Sequence, residues 1–315
     1  MVDVVGLALR EPRSVVITGA SRGLGLASAT HLYKRGWRVV GAMRAPDVGL
    51  ERLREATGAA GDDPRLVGIR LDLDDPASIA AAAKAVQEQV GAPDALVHNA
   101  GIAAAGCVED MPVSAWEQIF STNFFGPVAL TKALLPSMRE AGRGRIVVLS
   151  SAGGIRGMPS ISTYSAAKGA LERWAEALAH EVAPFGLGVT ILVCGMFKTD
   201  ILTERTPHYG DHDGPYAAHY AQIDRRGLFM VSLASAPERF APALARALDE
   251  RGPFARHAVG FDALMLQLGS RFLPGWVLHG LVRLAMGLPR HGALRGRHLP
   301  ETPVTSPSDQ SERYG

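Results

Sequence analysis

The sequence predicts a doubly wound parallel α/β sheet, built as a single domain with a helical extension at its C-terminal end. Three observations predict it. Short Val/Ile/Leu runs alternate with longer segments of helical period along most of the chain, the rhythm of βαβ units. The short runs are continuously apolar, as strands are when helices cover both faces of a sheet. The first run passes through a glycine-rich turn into a helix-patterned segment, Val15-Val16-Ile17-Thr18-Gly19-Ala20-Ser21-Arg22-Gly23-Leu24-Gly25, a strand–turn–helix junction.

In chain order, residues 14–18 read as the first strand and 24–35 as the first helix. Strands follow at 37–42, 65–71 and 94–98, with a helix at 76–90. A long helical stretch, 114–139, leads to a fifth strand at 144–150. A helix at 163–184 leads to a sixth strand at 187–194, and 256–259 gives a weak seventh. Between the last two strands the rhythm breaks. Residues 200–232 carry Pro207, Gly210, Gly214, Pro215 and Gly227 among aromatics and read as a long loop. It follows the carboxyl end of a strand, where ligands bind in such sheets; a substrate loop and a plain surface excursion both fit. The catalytic domain is expected over 1–260, a helical cover over 261–300 and a disordered polar tail over 301–315.

Composition narrows the function classes. Of 315 residues, 47% are hydrophobic and 20% charged, as in a soluble globular enzyme. Lys plus Arg (33) nearly balances Asp plus Glu (31), so nucleic acid is not an expected partner. Cys107 and Cys194 form neither a metal spacing nor a disulfide framework, which points to a reducing, cytoplasmic setting. The first residues lack a basic region and carry Asp3, so no secretory leader is expected. No apolar run is long enough to span a bilayer.

The glycine turn is suited to a phosphate. Such a junction aims free backbone N–H groups and the positive end of a helix dipole at one point. Gly19 permits the turn, Gly23 lets backbone approach a pyrophosphate, and Gly25 lets the helix pack close to the strand. Downstream, Tyr164 and Lys168 lie four apart in a helical segment and so share a face. Ser151 stands at the end of the fifth strand, and Asn123 inside the preceding helical stretch. Each alone has an ordinary explanation: an exposed pair, a cap, a solvent-facing amide. Their occurrence together, in this order after such a turn, points to one site.

On these residues the chain resembles the short-chain dehydrogenases/reductases, over roughly residues 14–199; within the family, Ser151-Ala152-Gly153-Gly154-Ile155-Arg156-Gly157-Met158-Pro159, before Tyr164, is similar to hydroxysteroid and retinol dehydrogenases. Thr18 to Gly25 resembles the family's TGxxxGxG cofactor loop. His98-Asn99-Ala100-Gly101 resembles its NNAG element with His for the first Asn, and Cys194-Gly195-Met196-Phe197-Lys198-Thr199 its PGxxxT element with Cys for Pro. Asn123, Ser151, Tyr164 and Lys168 match its catalytic tetrad. The resemblance implies a Rossmann-type fold, a homo-oligomer, and cofactor contacts from Gly19, Ser21, Arg22, Gly23, Leu24, Gly25, Asn99, Ala100, Gly101, Tyr164, Lys168, Gly195 and Thr199, with Asp72 beside the adenine. It assigns Asn123 a water-mediated link to Lys168.

The chemistry explains the residue types. Hydride transfer to a carbonyl leaves an alkoxide that needs a proton. Tyr164 is the expected general acid/base, with Lys168 lowering the phenol's pKa and the Ser151 hydroxyl polarising the substrate oxygen. The second strand ends Gly41-Ala42-Met43-Arg44 without the acidic residue that grips a ribose 2′-OH. Arg44, with Arg22 in the turn, suits a 2′-phosphate, so NADP is expected over NAD, unless Arg44 is an ordinary surface side chain. Ile155, Met158, Met196 and Phe197, beside Ser151, are the expected substrate contacts, and with Phe229 and Met230 they indicate an apolar alcohol or carbonyl compound. No metal is expected: His208, Asp211, His212, Asp213 and His219 match no zinc spacing.

For residues 261–298, two short helices broken at Pro274-Gly275 are expected. They serve either as a pocket cover or subunit contact, or as a surface-lying membrane anchor. A dinucleotide-binding sensor without chemistry is the alternative function. An epimerase or dehydratase is disfavoured by the glycine spacing and by the missing acid after the second strand.

Overall fold

A computed structural model describes residues 12–202 and 206–295; the expected tail at 301–315 lies outside them. The elements run β1 (Ser14–Thr18), α1 (Gly23–Lys34), β2 (Arg38–Met43), α2 (Pro46–Thr57), β3 (Leu66–Arg70), α3 (Pro76–Val90), β4 (Ala95–His98), α4 (Val113–Phe120), α5 (Gly126–Ala141), β5 (Gly144–Ser151), α6 (Ala152–Ile155), α7 (Ser162–Val182), β6 (Leu187–Cys194), α8 (Ala217–Ser232), α9 (Ala241–Leu248), β7 (Phe254–Val259), α10 (Phe261–Phe272) and α11 (Gly275–Ala285).

The seven strands form one sheet in the order β3-β2-β1-β4-β5-β6-β7, and every neighbouring pair is parallel. The order reverses between β1 and β4, which opens a crevice at the carboxyl ends of those strands. Strand alternation feeds a core on each face. β1 sends Val16 into one core, with Leu96, Ile146, Val148 and residues of α3, α5 and α7. It sends Val15 and Ile17 into the other, with Val97, Val147 and residues of α1, α2 and α9. This double covering is why the strands lack polar alternation.

Three helices differ from the sequence expectation. α8 occupies the second half of the expected 200–232 loop; Gly227 lies inside it, and its polar and apolar residues alternate too loosely to announce a helix. α2 buries only Gly49 and Leu53, a stripe too thin to show a period. α9 is two turns long. The 114–139 stretch is α4 and α5 joined by a π-helical turn, Ser121–Phe125. The C-terminal helices break at Pro274 as expected.

Candidate active site

The site begins where β1 ends. Gly19 turns the chain at φ +69°, and its N–H donates to the Ala42 carbonyl at 2.8 Å. Gly23 opens α1 at φ +54°, a conformation costly for any residue with a Cβ. A Cβ on Gly25 would collide with the Gly19 carbonyl oxygen, so only glycine lets α1 sit this close to the turn. Arg22 at the helix N-cap makes no side-chain cap bond, leaving the first-turn N–H groups to a ligand or water. These features fit a dinucleotide pyrophosphate. Ser21 abuts α2 at Gly49, and Leu24 packs on the α1-side core.

The end of β4 is tied to this turn. Asn99 Nδ2 donates to the carbonyls of Thr18 (2.8 Å) and Gly19 (3.2 Å), while the N–H groups of Asn99 and Ala100 donate to Thr18 Oγ1 at 3.1 and 3.0 Å. The chain then passes Gly101, where an added Cβ would lie 3.2 Å from Asn123 Oδ1 and 3.6 Å from Lys168 Nζ. The nucleotide turn and the catalytic candidates are thus neighbours.

Asn123 stands in the π-helical turn, fully buried. Its Oδ1 accepts from Ile102 N–H (2.9 Å) and its Nδ2 donates to Ile102 O (2.8 Å), which clamps the segment after Gly101. A π-turn re-aims a side chain at the cost of helix regularity. Ser151 ends β5 in register with Cys194 of β6. Its Oγ accepts from Gly153 N–H at 3.2 Å and lies near enough to the Tyr164 hydroxyl to favour its ionised form. Lys168, one turn beyond Tyr164 on α7, is 4% exposed. Its Nζ lies 5.8 Å from the Tyr164 ring centre and donates to Leu149 O at 2.8 Å.

Burial controls the electrostatics. It pushes the Tyr164 phenol up to about 12, against the Ser151 hydroxyl. It pulls the Lys168 ammonium down to about 8, against the charge of Glu172. The expected lowering of Tyr164 by Lys168 does not emerge in the free protein: desolvation of the phenol dominates, and the group that opposes it is Ser151. His98 is held neutral, its pKa near 3, by burial and by the charge of Lys168; its Nε2 pairs with Thr131 Oγ1 at 2.7 Å. Cys194, pushed up to about 12 by burial, is a packed thiol.

The family model for short-chain dehydrogenases matches residues 13–210. The chain is a member of the short-chain dehydrogenase family. An uncharacterized oxidoreductase, YusZ, of Bacillus subtilis (strain 168) is 36% identical over 212 residues, 66% of this chain and 74% of that protein. Human retinol dehydrogenase 8 is 36% identical over 192 residues, 60% of each chain. A solved short-chain dehydrogenase from Streptomyces avermitilis superposes with a TM-score of 0.74 at 33% identity, over 89% of this chain and all of that one.

The remaining expected residues of this family member fall as follows. Thr199 touches the turn: a Cβ on Gly23 would lie 3.3 Å from its Cγ2. Arg22 pairs with Asp200 at 3.0 Å on the surface. Arg44 is exposed just before α2. Asp72 caps the chain after β3, accepting from Asp74 N–H at 3.2 Å. Ile155 packs on the α7-side core, and Met158 N–H donates to Ser165 Oγ at 3.2 Å. Phe197 departs from the expected substrate contact. It is 5% exposed and stacks edge-on against Phe240 at 5.8 Å, because the chain after Gly195 turns its ring into the core.

Three residues escaped the sequence reading. Asp262, at the start of α10, accepts from Met196 N–H at 2.8 Å and fills the space a Cβ on Gly195 would need. Ser235 holds the same loop through backbone bonds to Met196 and Lys198. These braces supply the rigidity that Cys194 lacks relative to proline. Glu172, 1% exposed, accepts from Ser150 Oγ at 2.6 Å and pairs with Arg256 at 2.6 Å. Its place four residues after Lys168 on the same helix face was the available signal.

Proposed function

We propose that this protein is an NADP(H)-dependent carbonyl reductase or alcohol dehydrogenase acting on an apolar small molecule. The observation that carries the reading is the convergence of Ser151, Tyr164 and Lys168, through Gly101 and Asn99, on the glycine turn at Gly19. In this reading the bound dinucleotide supplies or accepts the hydride. Tyr164 gives its proton to the developing alkoxide, Ser151 holds the substrate oxygen, and Lys168 stabilises the negative charge and steadies the nicotinamide ribose. Asn123, by holding Ile102, fixes the backbone beside Lys168. A non-catalytic sensor has no use for a hydroxyl and a phenol set beside a buried amine.

NADP rather than NAD is supported by the end of β2, which presents Arg44 to solvent and no carboxylate. Arg22 is already engaged by Asp200, so Arg44 carries the preference. The likeness to a retinol dehydrogenase and the apolar side chains Ile155, Met158 and Met196 support an apolar substrate. A homo-oligomer is the assembly this family membership supports.

NADPH oxidation against a panel of aldehydes and ketones tests the reading. Turnover is expected, falling about 10²–10⁴-fold in Tyr164→Phe and about 10²-fold in Ser151→Ala. Arg44→Asp should move the NADP/NAD ratio of kcat/KM at least about tenfold towards NAD. NADPH binding without turnover on any carbonyl would establish the sensor instead.

A further inference from the structure

The two C-terminal helices are inside out relative to water. On α10, Phe261, Leu264, Met265, Leu268 and Phe272 recur at helical spacing and form one stripe. That stripe faces solvent: Phe261 is 76% and Phe272 72% exposed. On α11, Trp276 is 79% and Leu284 73% exposed. The opposite sides are the packed ones, with Ala263 fully buried and Leu278 5% exposed. A soluble monomer rarely leaves so much contiguous apolar surface uncovered.

The charge around this face selects its occupant. From Ala263 to Arg295 there is no Asp or Glu, while Arg271, Arg283, Arg290 and Arg295 all fall in the segment. A two-fold contact between copies would set this one-signed field against itself. An anionic bilayer complements it, with rings in the interface and guanidinium groups at headgroup phosphates. No helix among the described residues is long and apolar enough to cross a membrane, so contact must be made along the surface.

We infer that the outward face of α10 and α11 is a docking surface for an anionic lipid bilayer. The face is coupled to the site. Asp262 joins α10 to the loop at Met196, and Arg156, just past α6, donates to Gly275 O at 2.9 Å. Docking therefore sets the Ser151 side of the site close to the membrane. The surface is independent of whether the site reduces carbonyls.

Vesicle flotation of the full chain tests it, using phosphatidylcholine vesicles with and without phosphatidylglycerol. Binding is expected to the anionic vesicles, weakened by salt and by omission of the anionic lipid. The double variants Phe272→Ser/Trp276→Ser and Arg271→Glu/Arg290→Glu should each lose about tenfold or more in partitioning, with unchanged melting temperature and circular dichroism. Three results overturn the inference. The first is a chain that stays in buffer with both vesicle types. The second is a pair of variants that bind as tightly as the parent. The third is sedimentation in which Phe272→Ser/Trp276→Ser splits an oligomer that does not bind vesicles, which makes the face a subunit contact.

Discussion

Tyr164 and Lys168 share one desolvated site, and burial drives their pKa values apart, the phenol up to about 12 and the ammonium down to about 8. At neutral pH the phenol holds its proton and the amine is charged, which is the state a carbonyl reduction requires. As pH rises through about 8, Lys168 loses its proton and its stabilisation of the alkoxide with it. The reductive kcat/KM should therefore be flat through neutrality and fall above about pH 8. In Lys168→Met the plateau drops and the alkaline limb moves up towards the ionisation of Tyr164. A limb that stays near pH 8 in that variant would show that another group titrates. These residues were legible in the sequence because each is a rare chemical type at a spacing that its element fixes: a helix turn for Tyr164 and Lys168, a strand end for Ser151. Phe197 was misplaced because nothing in its type or spacing separates a pocket wall from a core ring.

At the scale of elements, Glu172 joins the parts that carry the chemistry. It lies on α7 below Lys168, takes a hydrogen bond from Ser150 beside Ser151 on β5, and pairs with Arg256 on β7. A carboxylate this deeply buried costs free energy unless it is paired. Glu172→Ala leaves the Ser150 hydroxyl without its acceptor and the Arg256 guanidinium with only the longer pairing to Glu176 at 3.5 Å, and should lower unfolding stability by about 3–5 kcal/mol. Glu172→Ala/Arg256→Met should recover most of that loss in urea titrations; losses that simply add would show that the two side chains are not coupled. α8 and α2 illustrate why elements were harder to read than motifs. Both bury thin stripes, so their helical period is weak, and for α2 packing against β2 and β3 decides its state.

At the scale of the whole molecule, the C-terminal extension completes the site from a distance. α10 follows the last strand, yet its Asp262 reaches back across the sheet edge to Met196 and Gly195. Removing that acceptor orphans the Met196 N–H, worth about 1–3 kcal/mol, and loosens the loop that carries Thr199. Asp262→Ala should reduce the rise in melting temperature that NADPH gives, while Asp262→Asn, which keeps an amide oxygen, should retain most of it. Equal rises in all three proteins would remove Asp262 from the site.

The sequence by itself determined the parallel α/β fold and the glycine turn, and nominated the Asn123, Ser151, Tyr164 and Lys168 set, since these follow from local spacing and strand order. Tertiary structure alone decided which charge state burial favours, that Glu172 and Asp262 brace the site, and that the apolar stripe of α10 faces outward. Those outcomes depend on desolvation and on contacts between residues tens of positions apart, and neither is encoded in any local window of the chain.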